Sequence, residues 1–174
     1  MPSVTLRLAT PDDIGFMMAT ERQPGFEWKV GRWDEPRHQA MMADPENIML
    51  IGLDGTGEAC GFAILRRLED PEQNLYLQRI AMARPGTGLG QPMLRALIGW
   101  VFDETDTHRL WLLVKDGNDR ARHVYAACGF TQEGRLREAF VTPDGDRCDA
   151  FQLSILRSDW PSAPSPLARA SSTT

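Results

Sequence analysis

Three alternating glycines, Gly86, Gly88 and Gly90, stand directly before an apolar segment with helical periodicity. Glycine lets a backbone bend sharply or approach a ligand closely. The first turn of a helix leaves N–H groups unpaired and carries the positive end of the helix dipole, so it attracts anions. Pro92 suits that first turn, where a missing N–H costs least. The spacing predicts a phosphate site; the alternative is a tight strand-to-helix turn that binds nothing.

The glycine spacing departs from two common phosphate motifs. Gln91-Pro92 follows the last glycine where a P-loop has Lys-Ser/Thr. Met93 stands where the dinucleotide fingerprint needs its third glycine. The loop therefore indicates a phosphate ligand of another kind.

A second pattern begins at Asn118, a few residues after the apolar run His108–Val114, and ends at Gly129-Phe130. Asn118 suits a helix N-cap as well as a ligand contact. Tyr125 lies on an apolar stripe of the predicted helix, so it is either a core aromatic residue or a phenol positioned to donate a proton.

Taken together, the glycine loop and the Asn-x-x-Ala-x-x-x-Tyr-x-x-x-Gly-Phe segment from Asn118 to Phe130 resemble the GNAT superfamily of acetyl-CoA-dependent N-acetyltransferases. The closing segment, with Leu136-Arg137-Glu138, Asp144-Gly145 and the stretch from Asp149 to Trp160, is similar to the subgroup that includes ribosomal-protein N-terminal acetyltransferases.

The resemblance implies an α/β (α+β) fold with the element order β-α-α-β-β-β-α-β-α-β-β. A mixed, mostly antiparallel sheet of about seven strands, splayed between the fourth and the fifth, is expected between about four helices. We expect one acetyltransferase domain over residues 1–160. The polar tail 161–174 is expected to be flexible or to dock on a partner, such as a second copy in a homodimer.

The resemblance also implies acetyl-CoA as the cofactor, bound by the end of the fourth strand, the glycine loop and the Asn118 helix. Pro85 stands at a family Gln or Arg position, and Lys115 and Arg122 are further candidates for phosphate contacts. The expected cofactor-binding residues are Ile80, Ala81, Met82, Arg84, Gly86, Thr87, Gly88, Leu89, Gly90, Gln91, Asn118, Arg120, Ala121 and Tyr125.

The implied reaction is direct attack of a primary amine on the thioester, with Tyr125 as general acid and a backbone N–H near Met82 as oxyanion donor. The acceptor is expected to be a peptide N-terminus or a small amine. The fourth strand holds no carboxylate to act as base, which favours a weakly basic α-amine, because that group is already partly neutral at physiological pH. The alternative is a non-catalytic module that binds or senses acyl-CoA.

Acceptor-binding residues are expected in the aromatic and acidic stretch after the first helix and near the end of the chain. Each of these side chains is also compatible with a structural or solvent-exposed role. Glu138, Asp149 and Glu27 are candidate bases. The predicted acceptor residues are Phe26, Glu27, Trp28, Trp33 and Glu138.

Composition narrows the class of protein. The net charge of −5 over 174 residues argues against a general nucleic-acid binder, which needs a basic face. Three cysteines without CxxC spacing indicate neither a disulfide framework nor a zinc site. We therefore expect no metal. The sequence has no membrane-length apolar run and no secretion signal, so we expect a cytoplasmic protein.

Overall fold

The computed structural model describes residues 2–27 and 29–161, which form one seven-stranded sheet with two helices on each face. The strands are β1 (Thr5–Leu8), β2 (Asn47–Leu53), β3 (Ala59–Arg66), β4 (Asn74–Met82), β5 (Arg109–Lys115), β6 (Thr131–Val141) and β7 (Arg147–Leu156). The helices are α1 (Ile14–Glu21), α2 (Glu35–Ala43), α3 (Gly90–Glu104) and α4 (Asp119–Ala127).

The sheet has the order β1-β2-β3-β4-β5-β7-β6, and only β4 and β5 run parallel. These two strands pair over Asn74–Tyr76 and Arg109–Trp111 and then separate. Each strand continues beyond this paired region, to Met82 and to Lys115. The expected splay between the fourth and fifth strands is therefore confirmed.

Two apolar clusters fill the two faces of the sheet. On the first face, the buried stripe of α3 packs against alternate residues of β4, β5 and β7, such as Leu77, Leu112 and Leu153. On the second face, α1 and α2 cover β2, β3 and the end of β4, around Met17 and Phe62. We call these the α3 face and the α1–α2 face. The amphipathic pattern of α3 is the reason why it lies flat on the sheet.

A bulge in β4 changes which side chains reach each face. Leu65 of β3 pairs with Leu77 and the adjacent Ile64 pairs with Arg79, so Gln78 is the extra residue. The strand therefore presents Leu77 to the α3 face but buries Arg79 on the α1–α2 face. The alternation expected of an uninterrupted strand does not hold here.

The apolar run His108–Val114 corresponds to β5, which begins and ends one residue later, at Arg109 and Lys115. The cap and proline at Thr10-Pro11 predict a single helix through about Thr20. The structure instead has a 3₁₀ turn at Pro11–Asp13 followed by α1. Apart from Pro161, the predicted tail lies outside the described residues. Within the described part of the chain, no helix is long and apolar enough to cross a membrane. In that same part, no cluster of three or more potential metal ligands occurs.

Candidate active site

A cavity of about 400 Å³ opens between the end of β4, the glycine loop, the start of α3 and the start of α4. All fourteen residues expected to bind the cofactor line it. They come from two stretches of chain that the folded sheet brings together, around Met82 to Gln91 and around Asn118 to Tyr125. The cavity also has walls that the motifs did not identify: Lys29, Val30, Pro85, Leu94 and Val124.

The glycine loop forms a cradle in which alternate positions, Gly86, Gly88 and Gly90, carry no side chain. Gly86 and Gly88 have φ angles of +91° and +80°, a region that glycine adopts readily and other residues rarely do. A Cβ atom built at Gly86, Gly88 or Gly90 would meet no atom within 4 Å, so each points into open space. The first turn of α3 contains no acidic residue that would compete for an anion. The cradle therefore offers main-chain N–H groups and a helix dipole to a phosphate.

The end of β4 directs backbone groups into the splay. The N–H of Ala83 donates to the carbonyl of Cys60 on β3, with an N···O distance of 2.8 Å. Because N–H groups alternate in direction along a strand, those of Ile80 and Met82 point away from β3, toward the gap beside β5. An extended amide-containing ligand can pair with these groups as an added strand would.

Tyr125 lines the cavity from α4, and its ring is half-buried. The ring packs edge-on against Phe130, with 5.6 Å between the ring centroids. Burial, with a smaller contribution from Tyr76, raises the pKa of Tyr125 above its usual value. The phenol therefore stays protonated at neutral pH and can donate a hydrogen bond into the cavity.

Asn118 occupies the N-cap position of α4 but makes no capping hydrogen bond through its side chain. The expected capping interaction is therefore absent. The side chain instead lies among the residues that line the cavity.

The predicted cationic residues separate into two groups. Arg84 and Arg120 line the cavity, and Arg84 Nη2 lies 2.9 Å from Asp54 Oδ2 in the β2–β3 turn. Arg122 and Lys115 are not among the described lining residues. The Arg122 guanidinium stacks over the ring of Phe151, and Lys115 Nζ lies 5.1 Å from the ring centroid of Phe140.

The residues expected to bind the acceptor lie in different environments. Phe26 lines the cavity, whereas Glu27 is exposed and Trp28 lies outside the described residues. Trp33 is 7% exposed and belongs to the core of the α1–α2 face, so any effect of its ring on an acceptor would be indirect. Glu138 is exposed, at a bulge of β6.

The candidate base Asp149 is engaged by other groups. One carboxylate oxygen accepts the N–H of Glu138 at 2.8 Å, and the other accepts Nε of Arg135 at 2.7 Å. These contacts, the N–H of Glu138 first, hold the pKa of Asp149 below its usual value despite partial desolvation. Asp149 is therefore a weak base.

A buried polar cluster behind the cavity was not identified from the sequence. Glu21 of α1 pairs with Arg79 of β4, lies 3.1 Å from Nε2 of His38 and accepts the N–H of Trp33 at 3.0 Å. Burial by itself would raise the pKa of Glu21, but these contacts outweigh it and the pKa lies below the usual value. A lone carboxylate at the end of α1 gives no signal in sequence, because its partners are distant along the chain.

A second link joins the same helix to the cavity. The side-chain amide of Gln23 donates to the carbonyl of Ala83 at 2.6 Å, just beyond β4. Together with the Glu21–Arg79 pair, this bond fixes the segment between α1 and α2, which contributes Phe26 and Val30 to the cavity wall.

Comparison with known proteins agrees with this geometry. YdaF from Bacillus subtilis, provisionally named a ribosomal N-acetyltransferase, is 28% identical to this chain over 110 residues. The matched region covers 63% of this chain and 60% of YdaF. The spermidine N(1)-acetyltransferase from Vibrio cholerae is 31% identical over 81 residues, a region that covers 47% of this chain and 46% of that protein. The matches thus span less than two thirds of either relative.

The fold has a counterpart among solved structures. The crystal structure of spermidine N-acetyltransferase from Vibrio cholerae in complex with CoA and spermine superposes with a TM-score of 0.80. The alignment covers 90% of this chain and 97% of the other, at 21% identity, and so establishes likeness of fold. The sequence model of the acetyltransferase (GNAT) family matches residues 16–130, more than half of the chain. The chain therefore belongs to the GNAT acetyltransferase family.

Proposed function

We propose that this protein transfers the acetyl group of acetyl-CoA to a primary amine, by direct attack of the amine on the thioester. The observation that carries the proposal is the cavity, which joins a main-chain phosphate cradle to the β4–β5 splay. In this proposal the pyrophosphate lies on the N–H groups from Gly86 to Gln91. The pantetheine arm runs along Ile80 and Met82, so the thioester carbonyl lies beside the N–H of Met82.

Tyr125 is the proposed general acid. The thiolate that leaves when the tetrahedral intermediate collapses needs a proton, and a phenol with a raised pKa is always available to supply it. The raised pKa also makes complete proton transfer less favourable. The phenol therefore hydrogen-bonds to the sulfur, gives it the proton only as the C–S bond breaks, and takes a proton back from water.

Water is the proposed route for the proton that the amine loses. Glu21 is fully buried and ion-paired, Asp149 is held by two donors, and β4 carries no carboxylate. An α-amine, with a pKa of roughly 7.7 to 8.0, needs little help to lose its proton, whereas a lysine-like amine near roughly 10.4 does. This favours a peptide N-terminus or a small α-amine as the acceptor.

The test is Tyr125→Phe, which removes the hydroxyl and keeps the ring that packs on Phe130. We expect kcat, measured by thiol release, to fall by tenfold or more, within the usual range of about 10² to 10⁴ for acid–base groups. The Kd for acetyl-CoA, measured by calorimetry, should stay within about twofold, because the cradle is unchanged.

An unchanged kcat in Tyr125→Phe would remove the phenol from the reaction. Tight binding of acetyl-CoA by the wild type, without turnover on any amine of a broad panel, would favour the non-catalytic acyl-CoA-binding module instead.

A further inference from the structure

The end of β4 has a strand neighbour on one side only. β4 and β5 pair as far as Tyr76 and Trp111 and then separate, whereas the pairing of β4 with β3 continues to Met82, opposite Gly61. The backbone at Met82 therefore lacks the second strand that holds an interior strand of a sheet in place. Since the N–H of Met82 is the proposed oxyanion donor, its position matters to the reaction.

The side chain of Gln23 contacts the end of β4 where a second strand is missing. Its Nε2 donates to the carbonyl of Ala83 at 2.6 Å and makes a longer contact of 3.4 Å with the carbonyl of Met82. The N–H of Ala83 donates in turn to the carbonyl of Cys60 on β3, at 2.8 Å. The peptide group between Met82 and Ala83 is thus held by β3 at its N–H and by Gln23 at its carbonyl.

This peptide group is the one that follows the proposed oxyanion donor. Because each peptide group is planar, the backbone between this group and the N–H of Met82 can adjust only through the φ and ψ angles of Met82. Holding the carbonyl therefore narrows the directions in which that N–H can point. Such precision matters, because a displacement of roughly 1 Å in an active site can cost about 100-fold in rate.

The main chain of Gln23 is connected to the cavity wall. Its carbonyl accepts the N–H of Phe26 at 3.1 Å, and the carbonyl of Phe26 accepts the N–H of Val30 at the same distance. Phe26 and Val30 line the cavity together with Met82. Gln23 thus fixes these wall residues and the end of β4 relative to each other.

The backbone that carries Gln23 is itself well held. The N–H of Gln23 donates to the carbonyl of Thr20, which continues the turns of α1. Two residues before Gln23, the fully buried Glu21 pairs with Arg79 of β4. The amide of Gln23 therefore reaches the end of β4 from a fixed position.

From these contacts we infer that Gln23 is a positioning residue for acetyl transfer, which holds the end of β4 so that the N–H of Met82 meets the thioester carbonyl. The inference rests on the proposed function and adds to it a residue outside the phosphate cradle. Gln23 is not among the described residues that line the cavity, so it acts through the backbone of Met82.

The experiment replaces Gln23 with side chains that lack or keep an N–H donor. The probes are alanine amide, phenethylamine and spermidine, of which the one that the wild type acetylates fastest is used at saturation. Gln23→Met has a similar length but no donor, so we expect kcat, measured by thiol release, to fall about tenfold. Loss of an oxyanion donor costs roughly 10²- to 10³-fold, and here the donor is displaced but still present.

Two further measurements separate positioning from a loss of binding. The Kd of Gln23→Met for acetyl-CoA should stay within about twofold of the wild-type value, since the phosphate cradle is unchanged. Gln23→Lys places an N–H donor at a similar distance from the two carbonyls and should restore kcat to within about threefold of the wild type.

Asn47→Leu is the matched control for a purely structural role. Nδ2 of Asn47 donates to the carbonyl of Met41 at 3.3 Å, which is also a partly buried bond from a side-chain amide to a backbone carbonyl. Asn47 and Met41 are not among the described lining residues of the cavity. We expect the urea unfolding midpoints of Gln23→Met and Asn47→Leu to fall by similar amounts, whereas kcat should fall only in Gln23→Met.

A wild-type kcat in Gln23→Met, an equal loss of kcat in Asn47→Leu, or a kcat in Gln23→Lys as low as that in Gln23→Met would overturn the inference and leave the acetyl transfer intact. Absence of wild-type turnover with all three amines, despite binding of acetyl-CoA, would overturn the proposed function and the inference with it.

Discussion

The two sides of the splay are built in different ways. On the α3 face, the cavity is made from two short stretches of chain and depends largely on main-chain groups. On the α1–α2 face, the buried polar cluster behind the cavity joins side chains as far apart in sequence as Glu21, His38 and Arg79. A main-chain cradle tolerates wide change in its neighbours, whereas a side-chain site changes with each substitution.

The largest effect is expected from Gly88→Val. A β-branched residue is strained at a φ of +80°, and its side chain would enter the open space of the cradle. We expect the Kd for acetyl-CoA to rise at least about 100-fold, which calorimetry would measure.

The matched control for this substitution is Gly145→Val. Gly145 has a φ of +88° and open space around its Cβ position, but it lies in the β6–β7 turn, outside the cavity lining. Gly145→Val should lose about as much stability as Gly88→Val but keep the wild-type affinity for acetyl-CoA. Equal affinity in the two variants would show that the cradle does not hold the cofactor.

Glu21→Gln should act on the free energy of unfolding. It leaves Arg79 buried without its counter-charge, which costs about 3–5 kcal/mol of unfolding free energy. The pKa of Glu21 is lowered in the folded state, so its contribution is present above the ordinary carboxyl pKa and is lost as pH falls through the folded value. Urea unfolding measured at pH 7 and below about pH 4 should show that the difference in unfolding free energy between Glu21→Gln and the wild type is smaller at the lower pH.

Asp13→Asn is the control for that measurement. It breaks the pair that Asp13 makes with Arg7, whose side chain is 42% exposed. Arg7 lowers the pKa of Asp13 to about 2, and Asp13 also accepts the N–H of Thr10. A pair with one half-exposed partner still contributes only about 1 kcal/mol after solvent screening. Similar losses in the two variants would contradict a buried anchor at Glu21.

The smallest effect is expected from Arg84→Met. Arg84 lines the cavity but is paired with Asp54 and has a 59% exposed side chain, so its loss should raise the KM for acetyl-CoA only about three- to tenfold. Arg67→Met is matched to it, because Arg67 is 58% exposed and paired with Asp70 away from this cavity. Steady-state kinetics with both variants would separate a phosphate contact from a general charge effect; an equal KM in both would remove Arg84 from the cofactor site.

The local sequence determined most of the elements and the glycine cradle. Strand alternation, the apolar stripe of α3 and the alternation of glycines are properties of neighbouring residues, which explains why the apolar run His108–Val114 predicts β5 to within one residue. The cradle is likewise local, because its geometry follows from glycines at fixed spacing before a helix.

Tertiary structure alone decided the polar contacts of the α1–α2 face. The bulge at Gln78 turns Arg79 toward Glu21. The ring of Trp33 packs against Arg79 and is therefore part of the core. These outcomes depend on contacts between α1, the α1–α2 segment and β4, which no periodicity within one segment records. A main-chain site can be recognised from adjacent residues, whereas a buried charge is placed by partners that only the folded chain brings within reach.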